Sequence, residues 1–399
     1  MVFFLFIIIV EFFFGNGDGV WCDYNLYLIG FTILAWVVGA LFFYLILKNS
    51  PPILQNISLS LFSVLAMAYS LDTVVGWIDS FNEKPVAAVA LTNPDNAKPW
   101  HYLGPMYDSS YTFDPFLGRK PIPNHTFVWT KKFNGKPFVQ IPMHVDSFSR
   151  RITPFADSTP LIRNQYALFL GCSFTYGDAV RDNETMPYYF QKNNIDYQSY
   201  NYGFFGYSPR HALARFQHQN LVKEVRQKDG FAVYVYIEDH INRSIPTAAW
   251  IGLYDGYFPD LDEPNMQTTG LYRFLHPIKY RLGMILFKSK IRRHFALDFP
   301  FSHRDKDYQL TANLIKATEV QYTKQFKNNK FYVLFYPDLM GKSNSPMLKL
   351  LQERGLKVLD YRKLLKSYPN IPLLKYDVHP SPEAHRVVMA HFSKDLKGL

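Results

Sequence analysis

The stretch Tyr166-Ala167-Leu168-Phe169-Leu170-Gly171-Cys172-Ser173-Phe174-Thr175-Tyr176-Gly177 decides the fold. Its first five residues form an apolar run of strand length, which suits a strand buried on both faces of a parallel sheet. The run breaks at glycine, and a small-residue loop carrying a serine follows. A serine just past the C-terminal end of a central strand stands where open α/β sheets bind their ligands. Far downstream, Asp377-Val378-His379-Pro380-Ser381 precedes a helix-like C-terminus. An early serine with a late aspartate and histidine is one of the orders in which serine hydrolases place their groups.

The segments around this stretch alternate. Asp182 to Asn193 reads as a helix, with Pro187 in its first turns, and Gln198 to Tyr202 as a strand. Pro209 to Lys228 reads as a helix, Phe231 to Ile237 as a strand, Tyr308 to Asn328 as a helix and Lys330 to Tyr336 as a fourth strand. Pro346 to Arg354, the short strand Leu356 to Leu359 and the helix Pro382 to Leu396 complete the set. Strands alternating with helices predict a three-layer α/β/α sandwich around a mainly parallel sheet, with right-handed crossovers. Residues 241 to 305 interrupt it. An insertion of that length carries function or a small structure of its own.

Ser173 is the candidate nucleophile. A serine hydroxyl is a weak nucleophile until a base takes its proton, so it needs an imidazole within hydrogen-bond reach. His379 is the candidate base, and Asp377 would hold its imidazole in the useful tautomer. The loop is not a Gly-x-Ser-x-Gly elbow, because Thr175 replaces the second glycine. Cys172 is a rival nucleophile whose side chain should point away from that of its neighbour Ser173, so a buried, inert thiol is the preferred reading. His385 falls on the following helix and reads as structural.

These blocks resemble the SGNH (GDSL-like) hydrolase family, in the branch fused to membrane segments, over roughly residues 110 to 395. The first block is Gly171-Cys172-Ser173-Phe174-Thr175, the second Asn201-Tyr202-Gly203-Phe204-Phe205-Gly206, and the last Asp377 with His379. Phe113-Asp114-Pro115-Phe116-Leu117-Gly118 resembles a lead-in found in membrane-linked relatives. The resemblance implies a flavodoxin-like strand arrangement. It also implies an oxyanion hole built from the backbone N–H groups of Ser173 and Gly203 and an asparagine side chain after the third strand. There the sequence departs from the pattern. The expected Gly-x-Asn-Asp is absent, and the strand runs into Ile237-Glu238-Asp239-His240-Ile241-Asn242-Arg243. His240 or Asn242 is the candidate third donor, whereas an Asp239 carboxylate would repel an oxyanion. Cys172 occupies the place of the family's aspartate.

The N-terminal part reads as membrane-embedded. Leu26 to Leu47 is nearly all apolar and uncharged, and Ile57 to Ile78 is a second span interrupted only by Asp72. Val2 to Phe14, with Glu11, is a third span, an interfacial segment or part of a signal. Lys48 between the two better spans places that loop in the cytoplasm and everything after Ile78 outside. The expected division is a membrane region over 1–79 with two or three helices, a β-rich extension over 80–164 and an α/β domain over 165–399. In the extension, Thr126 to Thr130 and Phe138 to Ile141 read as strands.

Composition narrows the function classes. The net charge of +10 is dispersed, apart from short clusters such as Lys288-Ser289-Lys290-Ile291-Arg292-Arg293. It favours an anionic membrane or polysaccharide over nucleic acid, for which no binding motif is present. Two cysteines, Cys22 and Cys172, exclude a disulfide-rich scaffold and a Cys-based zinc site. No nucleotide or metal motif is visible, so no cofactor is expected. Together with the resemblance, these features predict a membrane-anchored, periplasmic serine esterase or acyltransferase of a bacterium. Its substrate would be O-acyl groups, acetyl among them, on an acylated polysaccharide. A non-catalytic domain of the same type that binds glycan or scaffolds an envelope assembly is the alternative. A lipase or thioesterase is a variant prompted by the aromatic run Trp250 to Phe258.

Overall fold

The computed structural model describes residues 110–398 except 134–135, 156–162, 339–345, 369–370 and 372–378. Before these it describes residues 47–82 and scattered positions from Val20 to Tyr44. In chain order, α1 (Pro52–Asn82) is followed by two hairpins, β1 (Tyr111–Asp114) with β2 (Gly118–Pro121) and β3 (Thr126–Phe133) with β4 (Lys136–His144). Then come β5 (Gln165–Leu170), α2 (Ser173–Tyr176), α3 (Met186–Asn193), β6 (Tyr197–Asn201), α4 (Pro209–His218) and β7 (Asp229–Tyr236). The insertion holds α5 (His240–Ser244), α6 (Ala248–Tyr254), the hairpin β8 (Pro259–Asp262) and β9 (Gln267–Leu271), α7 (Tyr272–Leu275), α8 (Pro277–Lys288) and α9 (Lys290–His294). The chain ends with α10 (Asp305–Phe326), β10 (Phe331–Phe335), α11 (Met347–Glu353), β11 (Lys357–Asp360) and α12 (Pro382–Leu396). These elements fall into two compact units, Met1–Val86 with Lys288–Leu297, and Ala87–Phe287 with Asp298–Leu399.

The larger unit is built on one five-stranded sheet in the order β11-β10-β7-β5-β6, with every pair parallel. Numbered along the chain this is 2-1-3-4-5, the flavodoxin-like order that the resemblance implied. The order reverses between β5 and β7, which leaves a crevice beyond their carboxyl ends. Register places Leu170 of β5 opposite Tyr234 of β7, and Phe169 opposite Asn201 of β6.

Alternation along each strand makes the three layers. Leu168, Leu170, Ala232, Tyr234, Val333 and Phe335 face α4, α10 and α11 through Phe216, Ile315 and Leu351. Ala167, Phe169, Val233, Val235 and Leu334 face α3 and α12 through Phe190, Val388 and Phe392. Each large side chain withdrawn from water in this way contributes about 1.5–3 kcal/mol. Local chemistry sets the helix ends. Thr185 caps α3 by accepting from the Tyr188 N–H, with Pro187 in the first turn, and Ser381 caps α12 by accepting from the Ala384 N–H. The helix expected over Pro209 to Lys228 stops at His218 instead. Gln325 of α10 donates to the carbonyls of Phe216 and Gln219, which satisfies the helix end and turns the chain into a short 3₁₀ segment over Leu221–Glu224.

In the smaller unit, α1 begins on Pro52, a good first helical residue. Its segment Pro52–Gly76 is the one described helix long and apolar enough to cross a membrane, and its leucine, isoleucine and valine side chains are largely exposed. The span expected over Ile57 to Ile78 lies within it. Asp72, the charge that interrupts the span, has a structural partner in the same unit. It accepts from Ser289 Oγ (2.7 Å) and from the Ile291 N–H (3.0 Å) at the start of α9. The segment Leu26 to Leu47 is described only at scattered helical positions such as Leu41 and Tyr44, and Val2 to Phe14 lies outside the described residues.

Candidate functional site

The site begins where β5 ends. Gly171 has φ +150°, and a Cβ there would come within 2.2 Å of Thr175 Oγ1, so only glycine lets the strand turn this sharply. Cys172 is the extended N-cap of α2, and Ser173 opens the helix. The next turn closes on Gly177, whose N–H donates to the Ser173 carbonyl. The buried Arg151 then locks the turn by donating to the carbonyls of Tyr176, Gly177 and Val180.

From the end of β6, Asn201 donates to the carbonyls of Thr175 and Tyr176 and accepts from the Gly203 N–H at 3.1 Å. A Cβ on Gly203 would sit 2.7 Å from Tyr176 N, 2.8 Å from Thr175 Cβ and 2.9 Å from Cys172 O. The second block therefore uses its asparagine to tie, and its glycine to press, one loop onto the serine turn.

His379 reaches this turn from the start of the C-terminal segment. Its Nε2 lies 2.9 Å from Ser173 Oγ, across 206 residues of sequence. The imidazole leans on Phe174, with ring centroids 5.4 Å apart. Asp377 falls outside the described residues.

A different carboxylate stands at the imidazole. Asp178 Oδ2 is 3.3 Å from His379 Nε2, the same nitrogen that faces Ser173. Asp178 is buried, its N–H donates to the Ser173 carbonyl at 3.0 Å, and its carboxylate also meets one strand of the β3–β4 hairpin. Trp129 Nε1 donates to Oδ1 at 2.8 Å, and Lys131 Nζ lies 3.0 Å from Oδ2. The hairpin is held there by aromatic packing. Phe127, Trp129 and Met143 pack with Tyr176, Phe204, Phe205 and Tyr207, and Trp129 stacks on Phe205 at 4.4 Å.

Sequence reasoning missed Asp178 and Lys131, although a signal existed. Phe127, Trp129 and Lys131 alternate onto one face of β3, and the lysine is as buried as the aromatics. A lysine on an inward, otherwise aromatic face requires a carboxylate partner.

The oxyanion candidates after β7 are placed as follows. His240 is fully buried, with Nδ1 2.9 Å from the Tyr234 hydroxyl. Burial, and then the nearby Arg243 guanidinium, push its pKa well below the usual imidazole value, so it is neutral. Asn242 donates to Asp239 Oδ1 at 2.9 Å and its Oδ1 lies 2.7 Å from His303 Nε2. Among the described residues, no hydrogen bond joins either side chain to Ser173. Cys172 is fully buried, its thiol free. His385 is also buried and neutral, with its pKa pushed down to about 3 by burial and by the neighbouring His379. The aromatic run of the insertion is interior: Trp250, Ile251, Tyr254, Phe258 and Tyr272 form a buried cluster of their own. Among the described residues no cluster of acidic, histidine and cysteine side chains has the makings of a metal site.

No family profile matches the sequence, and no curated protein matches it. The solved structures it matches include lipolytic proteins of the G-D-S-L family and acetylxylan esterases. One is a G-D-S-L lipolytic protein from Veillonella parvula DSM 2008, 12% identical, covering 59% of this chain and 100% of that one, with a TM-score of 0.35. Another is an acetylxylan esterase from Geobacillus stearothermophilus, 13% identical over 59% of this chain and 96% of that one, with a TM-score of 0.32. A third is an alpha/beta hydrolase from the metagenome of Lake Arreo, Spain, 14% identical over 58% of this chain and 94% of that one, also at 0.32. At such identities and scores, what the site does has to be read from its own geometry.

Proposed function

We propose that this chain is a serine acyl hydrolase or acyltransferase of SGNH type. Ser173 attacks the carbonyl carbon of an ester. His379 Nε2 takes the hydroxyl proton as the bond forms and returns it to the leaving alcohol as the tetrahedral intermediate collapses. The acyl-serine then passes its acyl group to water or to a second hydroxyl. The observation that carries this reading is the 2.9 Å contact of Ser173 Oγ with His379 Nε2 at the crevice between β5 and β7. Asp377 would orient the imidazole from its other nitrogen. Asp178 serves the protonated state: once the proton has moved to Nε2, its buried carboxylate stands 3.3 Å away to stabilise the charge. The backbone N–H groups of Ser173 and Gly203, with His240 or Asn242, are the proposed donors to the oxyanion, Gly203 once its N–H turns from Asn201 Oδ1 to the substrate.

The apolar helix Pro52–Gly76 supports a membrane-anchored enzyme, and the single loop lysine Lys48 supports an extracytoplasmic site. In that setting O-acyl groups on a cell-envelope polysaccharide are the proposed substrates. The experiment is to treat the protein with a fluorophosphonate and map the labelled peptide by mass spectrometry. Label on Ser173 that disappears in His379→Ala supports an activated serine. Folded protein without label refutes it, and label on Cys172 moves the nucleophile.

A second reading is a glycan-binding domain without turnover. It is favoured by one observation: the loop after β7 carries the exposed carboxylate Asp239 and no asparagine bonded toward Ser173. Glycan binding that survives Ser173→Ala, in a wild type that neither labels nor cleaves acetyl esters, would select it.

A further inference from the structure

Helix α8 is apolar on two opposite sides. The inner side packs against α6, where a Cβ on Gly252 would meet Phe287 and Gly283 lies against Ile251, with Tyr280 and Met284 beside the buried cluster of Trp250 and Tyr254. The outer side carries Ile278, Leu282 and Ile285 at 73%, 56% and 67% exposure. At about 100° per residue these three fall within a narrow stripe diametrically opposite Tyr280, Gly283 and Phe287. Phe274 and Leu275 of α7 are exposed too and extend the ridge. Exposed Lys279 borders the stripe on one flank, and exposed Arg281 and Lys288 border it on the other.

A soluble surface seldom leaves such a ridge uncovered. The charge around it identifies the partner. From Pro264 to Leu297 the chain has seven Lys and Arg residues and no Asp or Glu. With the nearby carboxylates of Asp255 and Asp260 engaged by Arg273 and Tyr280 and by His276, an apolar stripe with cations on both flanks matches the interface of an anionic bilayer. There the apolar side chains enter the acyl boundary while lysine and arginine reach out to the phosphates.

We infer that α7 and α8 form a membrane-surface docking ridge for anionic lipid, through Phe274, Leu275, Ile278, Leu282 and Ile285. The inference does not depend on the reading of the catalytic site. The test uses the full chain, reconstituted in vesicles of phosphatidylcholine and phosphatidylglycerol. A polarity-sensitive fluorophore is attached at Leu282→Cys or Ile285→Cys in a Cys22→Ser background, Cys172 being fully buried. Lys349→Cys, an exposed position on α11, is the control. The expected result is blue-shifted emission at 282 and 285, quenching by doxyl-labelled lipid and little quenching by iodide, with the reverse at 349. The doxyl quenching should weaken in phosphatidylcholine alone. Iodide quenching at 282 and 285 equal to that at 349 would overturn the inference. Protection from both quenchers would also overturn it, because protein rather than lipid would then cover the ridge. Doxyl quenching undiminished without phosphatidylglycerol would overturn the assignment to anionic lipid.

Discussion

Removing the charge of Asp178 should slow acylation of Ser173 without dismantling the nucleophile turn. In the proposed transition state His379 would become an imidazolium with its new proton on Nε2, 3.3 Å from Asp178 Oδ2. Two unit charges at that distance attract by about 5 kcal/mol at an effective dielectric constant near 20. Lys131, 3.0 Å from the same oxygen, repels the imidazolium and offsets much of this. A net loss of about 1.5–3 kcal/mol remains, which is a fall of roughly 10- to 150-fold in rate. Asp178→Asn alone also strands the Lys131 ammonium in the interior, and breaking a buried pair from one side destabilises by about 3–5 kcal/mol. The decisive variant is therefore Asp178→Asn with Lys131→Met. It replaces the buried ion pair with neutral groups of similar volume and leaves an acceptor for Trp129 Nε1. The assay is the second-order rate of fluorophosphonate labelling, or of acetyl ester cleavage, followed alongside the melting temperature. The expected outcome is a double variant that melts close to the wild type but still reacts at least tenfold more slowly. Recovery of the rate together with the melting temperature would refute the reasoning and reduce Asp178 to a strut for the hairpin.

Three further outcomes are expected. Gly203→Ala should lower the labelling rate about 100-fold, because its Cβ meets backbone atoms of the serine turn at 2.7–2.9 Å and forces the two loops apart; near wild-type kinetics would show that the loops yield at no cost. Stability should fall steeply below neutral pH. The buried His211, His240 and His385 are held below the ordinary imidazole value of 6.5, so the unfolded chain binds more protons than the folded one once the pH drops below 6.5. The stability they contribute is complete above that pH and is lost as the pH falls, through about 3 for His385. At pH 5 each such histidine should remove about 2 kcal/mol, and denaturant titrations of His385→Gln should show a flatter decline between pH 7.5 and 5 than those of the wild type. Trp129→Phe keeps the stacking on Phe205 but deletes the donor to Asp178 Oδ1; it should cost about 1–3 kcal/mol of stability, read as a lowered denaturation midpoint, and an unchanged midpoint would show that solvent replaces the indole.

The sheet was legible because its strands are short apolar runs separated by periodic helices, and the reading placed its five strands to within about two residues. The end of α4 was not legible. Helical residues continue past His218, and what stops the helix is a glutamine about a hundred positions downstream that satisfies its last carbonyls. The aromatic run Trp250 to Phe258 prompted a lipase or thioesterase variant because composition carries no sign of which side faces in. The fold turns these rings inward and leaves Ile278, Leu282 and Ile285 outside. Ser173 and His379 could be paired from residue types and chain order alone. Asp178 could not, because its importance comes from a hairpin that lies before the sheet in sequence and against the serine turn in space.

That hairpin changes how the site handles its proton. One imidazole nitrogen faces two oxygens, Ser173 Oγ at 2.9 Å and Asp178 Oδ2 at 3.3 Å. To act as a base, Nε2 must present a lone pair to the Ser173 hydroxyl. Lys131 and Trp129 satisfy the oxygens of Asp178 before any proton arrives. With its charge already balanced, Asp178 stands fixed beside the nitrogen that faces the Ser173 hydroxyl. As the proton moves, Asp178 can take a new hydrogen bond without having to be desolvated or reoriented, because it is already buried and fixed. On this argument Lys131 sets when the carboxylate acts. Lys131→Met alone, with Asp178 kept, should therefore depress the rate by leaving the buried carboxylate without the cation that holds it in place, although it removes a cation that repels the imidazolium. A faster enzyme would mean that Lys131 opposes the transition state more than it prepares the base.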